Sequence, residues 1–134
     1  MPIDIYAEEI VSHYEHPHNK GEITDASVSQ HNYNPVCGDE MTMYLMINDG
    51  IVSDVKFKGV GCAISMATAS MLTDFIKGKT LKEIEGMGIN TIIDLIGIDP
   101  GPARLKCATL SLRTLKEAVF VYEHKEVDRA TKEL

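Results

Sequence analysis

Between Ile51 and Phe75 the spacing of apolar residues changes period once. Ser53, Val55 and Phe57 alternate with Asp54, Lys56 and Lys58, as in a strand with one solvated face. Beyond Cys62, the residues Ile64, Ala67, Met71 and Phe75 recur at three- and four-residue intervals, as on one face of a helix. The changeover falls in Gly59-Val60-Gly61-Cys62-Ala63-Ile64-Ser65, so a thiol is expected where a strand runs into a helix. Unpaired N–H groups and the positive end of the helix dipole favour a thiolate there. Upstream, Met41–Ile47 and Ile51–Phe57 flank Asn48-Asp49-Gly50, and an Asp-Gly pair suits a tight turn with positive φ. The two runs are therefore expected to pair as a β-hairpin, although the first does not reveal which of its faces is buried.

The remaining elements follow from caps and breakers. Ile3, Ala7, Ile10 and Tyr14 read as a helix capped by Asp4 and ended before Pro17, with a turn over residues 16–21. Val28 to Tyr33 reads as a short strand. Thr80-Leu81-Lys82-Glu83 has the form of a capping box opening a short helix that Gly86 closes, and a second short helix from Asn90 to Ile96 stops at Gly97. After Pro100-Gly101-Pro102 a long helix carries Leu105, Ala108, Leu112, Leu115, Val119 and Tyr122 on one stripe. The charged stretch from Glu123 to Leu134 is expected to be a solvated extension of that helix or a frayed tail.

A chain of 134 residues, 44% hydrophobic and 25% charged, is the size and composition of one soluble globular domain, with no run long enough to span a membrane. Its 13 basic against 20 acidic residues give a formal charge of -7 and no basic stripe, which argues against nucleic acid or anionic lipid as a partner. The first nine residues have no basic region followed by an apolar one, so no export or transit signal is expected, and the setting is read as cytoplasmic. Three cysteines without a C-x-x-C pair then point to free thiols or metal ligands rather than a disulfide framework.

Asn34-Pro35-Val36-Cys37-Gly38-Asp39 sets a thiol and a carboxylate two positions apart, with Gly38 between them to let the backbone turn. Together with Cys62 and Cys107 this makes three soft sulfur ligands and one hard oxygen ligand. Such a set suits tetrahedral zinc or a [2Fe–2S] cluster. The separations of 25 and 45 residues between the cysteines are long, and use of all three as small core residues is the competing explanation.

These segments resemble the IscU/SufU (NifU N-terminal) family of iron–sulfur cluster assembly scaffolds. Pro35-Val36-Cys37-Gly38-Asp39 resembles the family's P-x-C-G-D, and Gly59 to Ser65 with Ala67, Ala69 and Ser70 resembles its second cysteine segment. Lys106-Cys107-Ala108-Thr109-Leu110 resembles the third, and His13-Tyr14-Glu15-His16-Pro17-His18-Asn19-Lys20-Gly21 its H-Y-x-x-P-x-N-x-G stretch. The resemblance runs from about Ile5 to Tyr122. It implies an α+β fold of the SufE/NifU-like kind, a single domain over residues 1–134 in which a three-stranded antiparallel sheet packs against helices. Cys37, Asp39, Cys62 and Cys107 would lie at one end as the cluster or metal ligands.

The resemblance also implies a role that is not enzymatic. Such a scaffold receives sulfur from a cysteine desulfurase, builds a [2Fe–2S] cluster with iron and electrons, and passes it to apo iron–sulfur proteins; a ferredoxin and an iron donor are further partners to consider. A carboxylate is a harder and weaker partner for cluster iron than a thiolate, so Asp39 should keep the cluster labile. A homodimer around the cluster would shield it from water and oxygen.

Lys106 stands where many IscU members have histidine, as a basic residue does in SufU, and its cation would favour a persulfide-accepting thiolate at Cys107. Cys37 is the other candidate acceptor. The alternative function is accordingly a SufU-type sulfurtransferase holding Zn²⁺ on the same four residues. Against it, the spacing from Cys62 to Cys107 leaves little room for the insertion typical of SufU. Asp99 to Lys106 also lacks the L-P-P-V-K motif that IscU presents to its Hsp70 chaperone.

His13, His16 and His18 invite a second metal site, because 13 and 16 lie one turn apart on a helix. At an exposed helix end, however, they are expected only to complement the dipole. Met41, Met43, Met46, Met66 and Met71 read as core filler. No Ser-His-Asp arrangement or phosphate-binding glycine loop supports hydrolytic or nucleotide-dependent activity.

Overall fold

The computed structural model describes residues 5–35 and 38–134. Ile3, Asp4 and Cys37, which carry the first-helix cap and one proposed ligand, lie outside the described residues.

The Asp49-Gly50 pair does turn the chain. With φ of 53° and 72° both residues are left-handed, and they join β2 (Asp39–Asn48) to β3 (Ile51–Val60). β1 (Val28–Asn34) pairs on the other side of β2, giving an antiparallel sheet in the order β1-β2-β3. The inward face of β2 is continuous: Asp39, Met41, Met43, Leu45 and Ile47 alternate as buried residues. Met46 falls on the opposite side of the strand and is only half-buried, so it is not the core filler its composition suggested.

Phase is lost once. Met46 pairs with Asp54 and Ile47 with Val52, so Ser53 is the extra residue of a bulge. Its hydroxyl donates to the Met46 carbonyl and accepts from Asn48. Ser53 is therefore exposed, and Val52 takes the inward place that strict alternation would have given to Ser53.

Among the described residues five helices precede the last stretch of the chain: α1 (Ile5–Glu15), α2 (Ala63–Ile76), α3 (Leu81–Glu85), α4 (Ile89–Ile96) and α5 (Pro102–Tyr122). Thr80 and Glu83 form the reciprocal capping box at the start of α3, and Gly97, at φ 70°, ends α4. α5 packs on β1 and β2, and α2 packs between α5 and α1. Flanked on both sides, α2 is buried almost all round, which its small residues Ser65, Ala67, Ala69 and Ser70 permit. The single buried face expected through Ile64 and Phe75 is not what forms: Phe75 is 40% exposed and lies under the Lys79 ammonium.

The stretch after α5 takes neither course expected of it. At His124, with φ 57°, the chain turns back, and α6 (Arg129–Lys132), capped by Asp128, lays Thr131 and Leu134 against the body of the protein. Among the described residues no helix is long and apolar enough to cross a membrane.

Candidate metal centre

Three elements end at one place. Asp39 opens β2 and is the last member of its inward row, so alternation alone drives a carboxylate into the interior, 3% exposed. Gly38 just before it sits at φ 74°, a left-handed turn that glycine adopts at least cost. Cys62 is the N-cap residue of α2, in extended conformation, and its carbonyl accepts the first helical bond from Met66 at 3.0 Å. Serine or aspartate at an N-cap would spend its side chain on the helix. The Cys62 side chain makes no such bond and remains free for other chemistry. Cys107, 3% exposed, lies in the first turns of α5.

One ligating atom from each of Asp39, Cys62 and Cys107 lies within 4.8 Å of the others. Two sulfurs about 2.3 Å from a tetrahedral zinc would stand about 3.8 Å apart, so atoms this close could share one cation. Asp39 Oδ1 accepts from the Cys62 backbone N–H at 3.2 Å, which fixes the carboxylate. Its Oδ2 is buried with no hydrogen-bond partner among the described residues. A buried carboxylate oxygen without a donor is costly unless a cation satisfies it. The donor set and the orphaned oxygen both fit a metal or a cluster iron. Cys37 is joined to this group through Gly38, and its own position lies outside the described residues.

The role of Gly61 was not visible in the sequence. A Cβ on it would sit 2.9 Å from Asp39 Cγ and 3.1 Å from Met66 Cε, and on Gly59 it would strike the Glu40 carbonyl at 2.2 Å. The glycines therefore let the strand end close on Asp39. Ser65, at the third helical position after Cys62, and Ser111, one turn beyond Cys107, also carry buried hydroxyls without partners among the described residues. The neighbouring Thr68, Thr73, Thr109 and Thr114 all bond back to helix carbonyls. Lys106 points its ammonium at the carbonyls of Glu133 (2.5 Å) and Leu134 (2.8 Å), so the cation expected to act on Cys107 is engaged by the returning tail.

The histidines divide differently from their spacing. His16 is exposed and stands apart, whereas the turn at Pro17 carries His18 back to His13, their rings 4.5 Å apart, beside Asp74 of α2. Burial, and then the neighbouring His18, hold His13 below the usual imidazole range against the pull of Asp74 and Glu9. Burial pushes Asp74 upward, but hydrogen bonds from His18 and Asn19 bring its carboxyl below the ordinary value.

Comparison with known proteins agrees with this architecture. The model of the NifU-like N terminal domain family matches residues 5–129. The chain is 39% identical to the zinc-dependent sulfurtransferase SufU of Bacillus subtilis, over 86% of this chain and 89% of that one. It is 35% identical to the iron–sulfur cluster assembly scaffold protein IscU 1 of Archaeoglobus fulgidus, over 90% of this chain and 78% of that one. Among solved structures, a putative iron–sulfur cluster assembly scaffold protein for the SUF system from Fervidobacterium islandicum superposes with a TM-score of 0.75 at 30% identity, over 84% of this chain and 94% of that one.

Proposed function

Since the chain belongs to the NifU-like N-terminal domain family, we propose that it is a scaffold on which a labile [2Fe–2S] cluster is assembled and from which it is passed to apo-proteins. Cys37, Asp39, Cys62 and Cys107 are the ligands in this reading, and the cluster is cargo rather than a resident cofactor. The observation that carries it is the buried Oδ2 of Asp39, without a hydrogen-bond partner among the described residues, beside two thiols. Cysteines used merely as small core residues would not require a carboxylate among them. Sulfur comes from a cysteine desulfurase, electrons from a ferredoxin-like donor, and iron from a ferrous source. Asp39 serves release, because a hard oxygen holds cluster iron less firmly than a fourth thiolate would.

A second reading is supported by the identity with the Bacillus sulfurtransferase. There Zn²⁺, held by the same four residues, would keep the thiols deprotonated at neutral pH. A thiolate of this chain, Cys107 or Cys37, attacks the outer sulfur of the desulfurase persulfide, and the donor cysteine leaves as thiolate.

Anaerobic incubation with a desulfurase, cysteine and ferrous iron separates the two. Growth of a red-brown chromophore with equal iron and acid-labile sulfide supports the scaffold. Faster desulfurase turnover with no chromophore supports the sulfurtransferase. In the scaffold case Asp39→Ala should slow cluster transfer to an apo-ferredoxin, and an unchanged transfer rate would refute the role given to Asp39.

A further inference from the structure

At the other end of α2 from the thiols, His13, His18 and Asp74 each bring one ligating atom within 4.8 Å of the others. Asp74 lies about 18 Å along the helix from Cys62 at 1.5 Å per residue, so this cluster is separate from the one above. Its parts are held from behind. Ser70 Oγ sits 2.6 Å from His13 Nδ1 and accepts the backbone N–H of His18 at 2.7 Å. Asn19 Nδ2 donates to Asp74 Oδ1 at 2.8 Å and to Thr73 Oγ1 at 3.0 Å. His18 Nδ1 meets Asp74 Oδ2 at 2.5 Å.

Each imidazole is thus engaged at Nδ1, and neither Nε2 has a hydrogen-bond partner among the described residues. His13, anchored at Nδ1 by Ser70, keeps Nε2 for an ion, as a metal-ligating histidine does, and a cation would take the place of the proton shared between His18 Nδ1 and Asp74 Oδ2. Two imidazoles and a carboxylate suit first-row divalent cations of intermediate softness, Fe²⁺, Co²⁺ and Zn²⁺ among them. We propose that His13, His18 and Asp74 form a second site for such a cation, independent of the thiols. His18 and Asp74 are exposed, so water completes the coordination and the ion exchanges readily. The proposal does not rest on the scaffold reading.

The competing account is a hydrogen-bonded clamp that pins the end of α1 to α2 and binds nothing. Cobalt(II) distinguishes the two. Wild-type protein given one equivalent of Zn²⁺ to occupy the thiols is titrated with Co²⁺ under reducing conditions. One further equivalent of cobalt should bind with d–d absorption and no thiolate-to-cobalt charge-transfer band. The ring-proton resonances of His13 and His18 should broaden, while those of His31 and His124 stay sharp. His18→Gln and Asp74→Asn should each lose that equivalent and retain the zinc. Unmoved His13 and His18 resonances in the wild type would overturn the proposal, whether or not the variants fold. Retention of the equivalent in folded Asp74→Asn would overturn it equally, as would cobalt uptake accompanied only by a charge-transfer band.

Discussion

A methyl group on Gly61 would come within 2.9 Å of Asp39 Cγ and 3.1 Å of Asp39 Oδ1, closer than a side chain can sit without displacing the carboxylate. The same Cβ would also crowd Met66 Cε, at 3.1 Å. Gly61→Ala should therefore push Asp39 off the Cys62 N–H at a cost of about 1–3 kcal/mol in stability. It should also weaken zinc binding at the thiols roughly 10–100-fold, the range found when groups that orient ligands are disturbed. Competition against a chromophoric zinc chelator measures this. Gly88→Ala is the control: a Cβ there meets nothing within 4 Å, and its φ of -146° suits any residue. Equal affinities for the two variants would show that Gly61 does not position Asp39.

At the level of elements, most of what locates the site was legible because it is local. Positive φ at Asp49-Gly50, the Thr80 capping box and the change of period at Cys62 each depend on residues within a few positions of one another. What failed depends on neighbours distant in sequence. The bulge at Ser53 is a property of the pairing with Met46 and Ile47, so alternation within β3 alone put the wrong residue inside. α2 is buried almost all round because α1 and α5 flank it, which the apolar stripe of one helix does not encode. The meeting of His13 and His18 with Asp74 also needs two elements, and helical spacing favoured the wrong pair, His13 and His16.

Lys116 on α5 is another case that its own element does not explain. It is 2% exposed and donates to the Met87 carbonyl at 2.7 Å. Burial holds its ammonium below the ordinary 10.5, with Asp128 and Glu85 opposing. Between that lowered value and 10.5 the unfolded chain binds the proton that the folded chain has given up, so stability due to this group rises with pH across the window. Urea unfolding of the wild type relative to Lys116→Met should show that difference growing as pH approaches 10.5, and constant at lower pH. A difference flat over the whole alkaline range would mean the ammonium is not penalised by its surroundings.

On the scale of the whole molecule, the thiol site joins the start of β2, the N-terminus of α2 and the first turns of α5, segments that an unfolded chain holds far apart. A formal charge of -7 adds a general bias toward cations. An ion bound by the folded chain and not by the unfolded one stabilises by RT ln(1 + [L]/Kd), about 2.7 kcal/mol at a hundredfold excess of free ion over Kd. For a domain of this length each kcal/mol moves the midpoint by roughly 3–5 °C, so zinc should raise the thermal midpoint by about 10 °C. Weak capture of zinc by cysteines of the unfolded chain trims that figure. Most of the gain should vanish in Cys62→Ser and Cys107→Ser, and a chelator should reverse it in the wild type. His18→Gln should keep most of it, because the ion at the far end of α2 bridges only α1, the following turn and one helix. Identical midpoints with and without chelator would mean that Asp39, Cys62 and Cys107 are assembled by packing alone, and that the buried Asp39 Oδ2, without a partner among the described residues, is a cost the fold bears without an ion.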